Sequence, residues 1–122
     1  MYTLLKQLGI EAEEKGKQEL EGPAKSIKTA FYRALAPIVF NIQTETECYC
    51  YIFQKDGSVT LLTELHDKPD VKLIGPYEEV LYLLQTRDKE RFEMAQRTRK
   101  ITIVTNTFQG TLAVTKLREM FL

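Results

Sequence analysis

The sequence predicts an α+β domain: a five-stranded mixed, largely antiparallel sheet covered on one face by helices. Three observations predict it. From Ile38 the apolar period is two, through Ile38–Gln43, Cys48–Phe53 and Val59–Leu65, which is the spacing of half-buried strands. Segments on either side carry apolar residues at three- and four-residue spacing, as amphipathic helices do. The order α-α-β-β-β-β-α-α-β-α also lacks the regular strand–helix alternation of a doubly wound parallel sheet.

The first segment, Tyr2 to about Leu20, sets Leu4, Leu5, Leu8, Ala12 and Leu20 among Lys, Glu and Gln, a polar helix with one apolar stripe, weakened by Gly9 and Gly16. Glu21-Gly22-Pro23 stops it, since Pro is best tolerated in a first helical turn. A second helix is expected from Ala24 to about Leu35, with Ile27, Ala30, Phe31, Ala34 and Leu35 on one face and Pro37 ending it. Two strands, Ile38–Gln43 and Cys48–Phe53, follow across a polar Thr-Glu-Thr-Glu link. Asp56-Gly57 suits the positive φ angles of a tight hairpin and leads into Val59–Leu65, completing an antiparallel meander. Asp70–Ile74 alternates as a short fourth strand.

Gly75-Pro76 then marks a helix start, and Tyr77, Val80, Leu81 and Leu84 fall at i, i+3, i+4 and i+7. The next short helix has a solvated start at Arg87–Arg91 and offers Phe92 and Ala95, with Met94 beside them, for burial. Ile101–Thr105 reads as the fifth strand. A last amphipathic helix, from Thr107 to Leu122, carries Phe108, Leu112, Ala113, Leu117, Met120 and Phe121. With no repeat, low-complexity tract or linker, residues 1–122 are expected to form one domain, helical to about residue 36 and sheet with covering helices from about residue 37.

Hydrophobic residues are 43% and charged residues 28% of the chain, a globular balance. Lys plus Arg and Asp plus Glu are each 17, so the net charge of zero gives no bulk attraction to nucleic acid or to an anionic lipid surface, and no nucleic-acid partner is expected. The same neutrality offers little repulsion to self-association, which leaves a homodimer open. No stretch reaches the roughly 18 apolar residues of a membrane span, and no secretory leader is legible, so a cytoplasmic setting without stable membrane insertion is expected.

Little reactive chemistry is written into the chain, and no enzymatic activity, cofactor or metal is expected. Cys48 and Cys50 point to one face of a strand and read as small hydrophobes. His66 is the single histidine and lies in a turn-like setting, so no nucleophile triad is available. Glu78-Glu79 sits in a helix's first turn, where the dipole favours negative charge, and Glu45 and Glu47 in a strand link; both pairs read as solvated. Arg97, Arg99 and Lys100, with Arg87, Lys89 and Arg91 nearby, read as a solvated face, with a phosphate or lipid headgroup as the alternative.

The later two thirds of the chain resembles the sterol carrier protein type 2 family. The resemblance is carried by Asp70-Val71-Lys72-Leu73-Ile74, by Pro76-Tyr77-Glu78-Glu79-Val80-Leu81, by Phe92, by Arg99-Lys100-Ile101-Thr102-Ile103 and by Leu112-Ala113-Val114-Thr115-Lys116-Leu117, in that order. Arg99 stands where the family has a glycine, and Thr105-Asn106 where it often has glycine and aspartate. The chain is thus similar to a divergent, stand-alone prokaryotic-type member.

The resemblance implies a tunnel between sheet and helices that holds a fatty acid, acyl-CoA, sterol-like or isoprenoid lipid, and hence a lipid-binding or lipid-transfer role. The lining would draw on Phe40 and Ile103 from the sheet, on Tyr77, Leu81, Leu84 and Phe92 from the middle helices, and on Phe108, Leu112, Leu117, Met120 and Phe121 from the last. On the residues alone, the last helix either covers such a cavity or completes a filled core. A filled core would suit an accessory or dimerisation domain instead.

Overall fold

The computed structural model of the protein describes residues 1–21 and 35–122. The expected break at Gly22-Pro23, the helix expected from Ala24 onward and the Leu20 side chain lie outside them. The described elements are α1 (Tyr2–Glu21), β1 (Ile38–Gln43), β2 (Cys48–Phe53), β3 (Val59–Leu62), β4 (Val71–Ile74), α2 (Tyr77–Thr86), α3 (Lys89–Arg97), β5 (Thr102–Thr105) and α4 (Phe108–Phe121).

The strands form one five-stranded sheet in the order β3-β2-β1-β4-β5. Neighbours are antiparallel except β1 and β4, which pair parallel with Phe40 beside Val71 and Ile42 beside Leu73. The sheet is therefore mixed and largely antiparallel, and the fold α+β. The β2–β3 hairpin turns at Asp56-Gly57 as expected, but only Gly57, at φ 86°, takes a positive φ, with the Gly57 amide donating to the Gln54 carbonyl and the Gln54 amide to the Ser58 carbonyl.

Strand β3 ends at Leu62, three residues before the period-two pattern does. The chain leaves it to reach β4, and the connection is tied down by Asn41, whose side-chain amide donates to the His66 carbonyl at 2.9 Å and accepts from the His66 amide at 3.1 Å. The ring Nδ1 of His66 accepts from the Lys68 amide. Asn41 and Cys50 are thereby buried on the sheet face away from the helices, and burial pushes the Cys50 thiol up to about 11. A thiol so held is inert.

Asp70 joins the two halves of the sheet. Its backbone amide donates to the Val39 carbonyl and its carboxylate accepts from the Val39 amide, both at 2.8 Å. Its carbonyl accepts from the Asn106 amide, and its carboxylate accepts from the Thr107 hydroxyl at 2.7 Å. Thr107 in turn caps α4 by accepting from the Gly110 amide.

The helical side of the sheet presents Ile38, Phe40 and Ile42 from β1, Tyr49, Tyr51 and Phe53 from β2, and Val71 and Leu73 from β4, all buried. Helix α1 packs near β3 through Leu5, Leu8 and Ala12. Its glycines lie on this packed face: a Cβ on Gly9 would stand 3.2 Å from the Tyr51 ring, so the glycine that lowers helix propensity permits the close approach. Tyr51 is fully buried and its hydroxyl donates to the Leu5 carbonyl.

Two helices present different faces from those expected. Helix α2 buries Glu79, Val80, Leu83 and Leu84. The stripe expected through Tyr77 and Leu81 is therefore shifted along the helix, because Glu79 goes inside with partners described below. Tyr77 instead receives a 3.4 Å hydrogen bond from the Met1 amine, and Leu81 is half-buried. Helix α4 buries Gly110, Ala113, Leu117, Met120 and Phe121, leaving Phe108 76% and Leu112 49% exposed. Ala113, Leu117, Met120 and Phe121 are thus buried as expected, while at the start of the helix the seated residue is the small Gly110 in place of Phe108 or Leu112. Met94 of α3 is likewise exposed, with Phe92 and Ala95 buried.

Candidate ligand-binding site

A cavity of about 60 Å³ lies between the sheet and the helices. The sheet contributes Phe40, Ile42, Val71, Leu73 and Ile103. Helix α2 adds Val80, Leu83 and Leu84, and α3 adds Phe92. The wall is completed from the end of the chain by Val114, Leu117, Arg118, Phe121 and Leu122. Among the described residues Arg118 is the one lining residue with a polar side chain.

Of the residues expected to line a tunnel, Phe40, Leu84, Phe92, Ile103, Leu117 and Phe121 meet at this cavity. Tyr77, Leu81, Phe108, Leu112 and Met120 do not border it. Phe108 and Leu112 lie on the outer side of α4, and Met120 is buried away from the cavity. The register supplies the missing strand positions, since Ile42 and Leu73 stand beside each other two residues along from Phe40 and Val71. The alternation in β1 and β4 carries that signal once the inward face is known.

Aromatic rings fill the space beside the cavity. Phe121 stacks on Tyr51 with ring centroids 5.4 Å apart and stands 6.1 Å from Phe40 and 6.3 Å from Phe53. Ligand pockets commonly measure about 300–1,000 Å³, so the cavity is small because these side chains occupy the interior.

Beyond the cavity the charges are largely matched. Glu79 is only 3% exposed and accepts two 3.0 Å hydrogen bonds from Arg91, with Lys100 at 3.2 Å. The Arg91 guanidinium lies 4.6 Å from the Tyr82 ring centroid. Arg87 pairs with Glu11. The expectation that Glu79 is solvated is thus corrected, and three cations of the basic cluster are paired with carboxylates. Glu45 is exposed as expected but accepts from the Tyr77 amide at the start of α2, and Glu47 accepts from the Tyr49 hydroxyl. Among the described residues, no group of three or more His, Cys, Asp and Glu side chains comes together as metal ligands would.

The Arg91 hydrogen bonds, followed by Lys100, hold the Glu79 carboxyl below the usual glutamate range. A lowered folded-state pKa gives stability that is complete above the unfolded value of about 4.3 and is lost as pH falls through the folded value. Glu79→Gln is therefore expected to be less stable than the parent at pH 7, and the difference should shrink as pH falls below about 4. Urea midpoints across that range check it, and a difference independent of pH would refute it.

No protein-family model and no curated protein sequence matches the chain. Solved structures do. Palmitated SCP2L2 from Aedes aegypti is 20% identical, covers 98% of this chain and 91% of its own, and superposes with a TM-score of 0.55. The UbiJ-SCP2 ubiquinone synthesis protein is 15% identical, with 87% and 94% coverage and a TM-score of 0.50. The chain has a sterol carrier protein 2 fold.

The sterol carrier protein 2 fold also recurs inside a larger protein. A double mutant of the sec-alkyl sulfatase PisA1 matches 75% of this chain at 18% identity and a TM-score of 0.52, over 13% of the sulfatase's own length. Where the sequence departs from the pattern of sterol carrier proteins, this chain keeps the turns by other means. Arg99 adopts φ 60°, the left-handed region that glycine reaches without strain. Asn106 holds the end of β5, its backbone donating to Asp70 and its side-chain amide to the Pro69 carbonyl at 3.1 Å.

Proposed function

We propose that the protein is a non-enzymatic lipid-binding domain that takes the apolar chain of its ligand between the sheet and helices α2, α3 and α4. The observation that carries this reading is the cavity wall, apolar at every position but Arg118. None of the described wall residues could act as nucleophile or general base, and an apolar surface is what a hydrocarbon chain seeks. The palmitated state of the mosquito protein with the same fold supports the reading by analogy.

A cavity of about 60 Å³ is too small for a long acyl chain, so entry displaces side chains. Phe121 is the natural one to yield, because its ring borders the cavity and packs against the aromatic side chains beside it. Withdrawing a buried phenylalanine costs about 3–5 kcal/mol. Each buried methylene returns about 0.8 kcal/mol, so about four to six of them offset that cost. Affinity should therefore rise with chain length, and short chains should bind poorly.

Native mass spectrometry of protein purified from cells tests this directly. Adducts of lipid mass are expected. A bare polypeptide mass, with no binding of fluorescent fatty acids or acyl-CoA to the purified protein, would overturn it. A second reading, an accessory or dimerisation domain, is favoured by the occurrence of the fold as a small part of the sulfatase. A stable oligomer in light scattering together with a lipid-free interior would select it.

A further inference from the structure

The structure assigns Arg118 as the headgroup anchor of this cavity, and the ligand as an amphiphile with an anionic oxygen head, a carboxylate or a phosphate. This inference rests on the lipid-binding reading above and adds the class of ligand. Arg118 belongs to both environments: it borders the cavity, while its side chain is 41% exposed. Its guanidinium lies 5.2 Å from the centroid of the Phe92 ring, another wall residue. A long side chain so placed lays its carbon stem along apolar surface and keeps its charge at the rim.

The cation is only loosely engaged. Its partner Glu93 stands at 3.4 Å and is 54% exposed, so the pair is solvated and screened. Arg91 differs, committing two 3.0 Å bonds to a buried carboxylate, and so does Lys100, which shares that carboxylate. A guanidinium has five N–H donors in a planar fork suited to carboxylate or phosphate. With one distant oxygen on Glu93, the Arg118 fork keeps donors for a ligand. Among the described residues no acidic side chain borders the cavity to repel an anion there. A neutral sterol or isoprenoid alcohol offers this cation one hydroxyl acceptor and no charge, and so gains less from it than an anion does.

Displacement of the neutral probe Nile red by palmitate, hexadecyl phosphate and hexadecanol tests the assignment. In the parent protein the two anions should bind about tenfold tighter than the alcohol, a preference that declines with added salt. Whether palmitate or the phosphate binds tighter identifies the head, and either order supports the anchor. Arg118→Gln should bring the three ligands to within about twofold of one another, chiefly by weakening palmitate and hexadecyl phosphate. Glu93→Gln, which frees the guanidinium, should strengthen palmitate a few-fold and leave the alcohol unchanged.

An anion preference that survives in Arg118→Gln overturns the anchor while leaving the lipid-binding reading intact. If Arg118→Gln fails to fold, Glu93→Gln decides, and equal palmitate affinity in it and the parent counts against the anchor. If hexadecanol, palmitate and the probe all fail to bind the parent, the lipid-binding reading falls and the anchor with it.

Discussion

Gly110→Ala is expected to destabilise the protein by about 3 kcal/mol, although alanine is the better helix former by about 1 kcal/mol. A Cβ at this position would overlap the Asp70 carbonyl oxygen and stand 2.8 Å from the Asp70 carbonyl carbon. Both belong to backbone, and that backbone is held: the same carbonyl accepts from Asn106, and the Asp70 carboxylate accepts from Val39 and Thr107. Helix α4 would have to lift from β4 or lose its cap. Propensity and packing thus predict opposite signs. A lower urea midpoint with unchanged slope supports the close seating of α4, and a higher one refutes it.

Phe121→Ala should cost about 3–5 kcal/mol, the range for truncating a buried phenylalanine. The ring packs on Tyr51, Phe40 and Phe53 and is 6% exposed, so its removal leaves three aromatic faces without a neighbour. The space it vacates adjoins the cavity. A long-chain lipid should therefore raise the unfolding midpoint of Phe121→Ala more than that of the parent, because the ligand no longer has to displace the ring. Loss of less than about 1 kcal/mol would show that the last turn of α4 contributes little to the core. Equal lipid-dependent shifts would show that Phe121 does not stand in the ligand's way.

The fold class was legible because period two and period 3.6 are consequences of backbone geometry, and neither depends on partners far along the chain. Asp56-Gly57 located its hairpin for the same local reason. The parallel pairing of β1 with β4 was not legible, since it depends on where the connection after β3 runs, and Asn41 looked like an ordinary strand residue. Val80 and Leu84 of α2 and Ala113, Leu117, Met120 and Phe121 of α4 are buried as expected, whereas Leu81, Phe108 and Leu112 are not, because the buried faces turn toward Glu79 and Gly110. Glu79 is buried because Arg91 and Lys100 reach it from α3 and from the turn before β5. Gly110 and Ala113 mark the seated face of α4 because smallness lets backbones approach. Strand residues of the cavity such as Ile42 and Leu73 became identifiable only with the register. Arg118 was passed over because a charge on a helix reads as surface, whereas its stem borders an apolar wall.

The Asp70 joint also bears on how the chain finds its fold. The meander β1–β3 forms from neighbours in sequence, but Asp70 bonds Val39 across 31 residues and Thr107 across 37. Closing such loops costs chain entropy before the strands return any energy. One side chain and its peptide unit then hold the closure from both directions. The joint thus ties the meander to β4 and to the start of α4, the long-range closures on which cooperation between the two halves of the sheet depends.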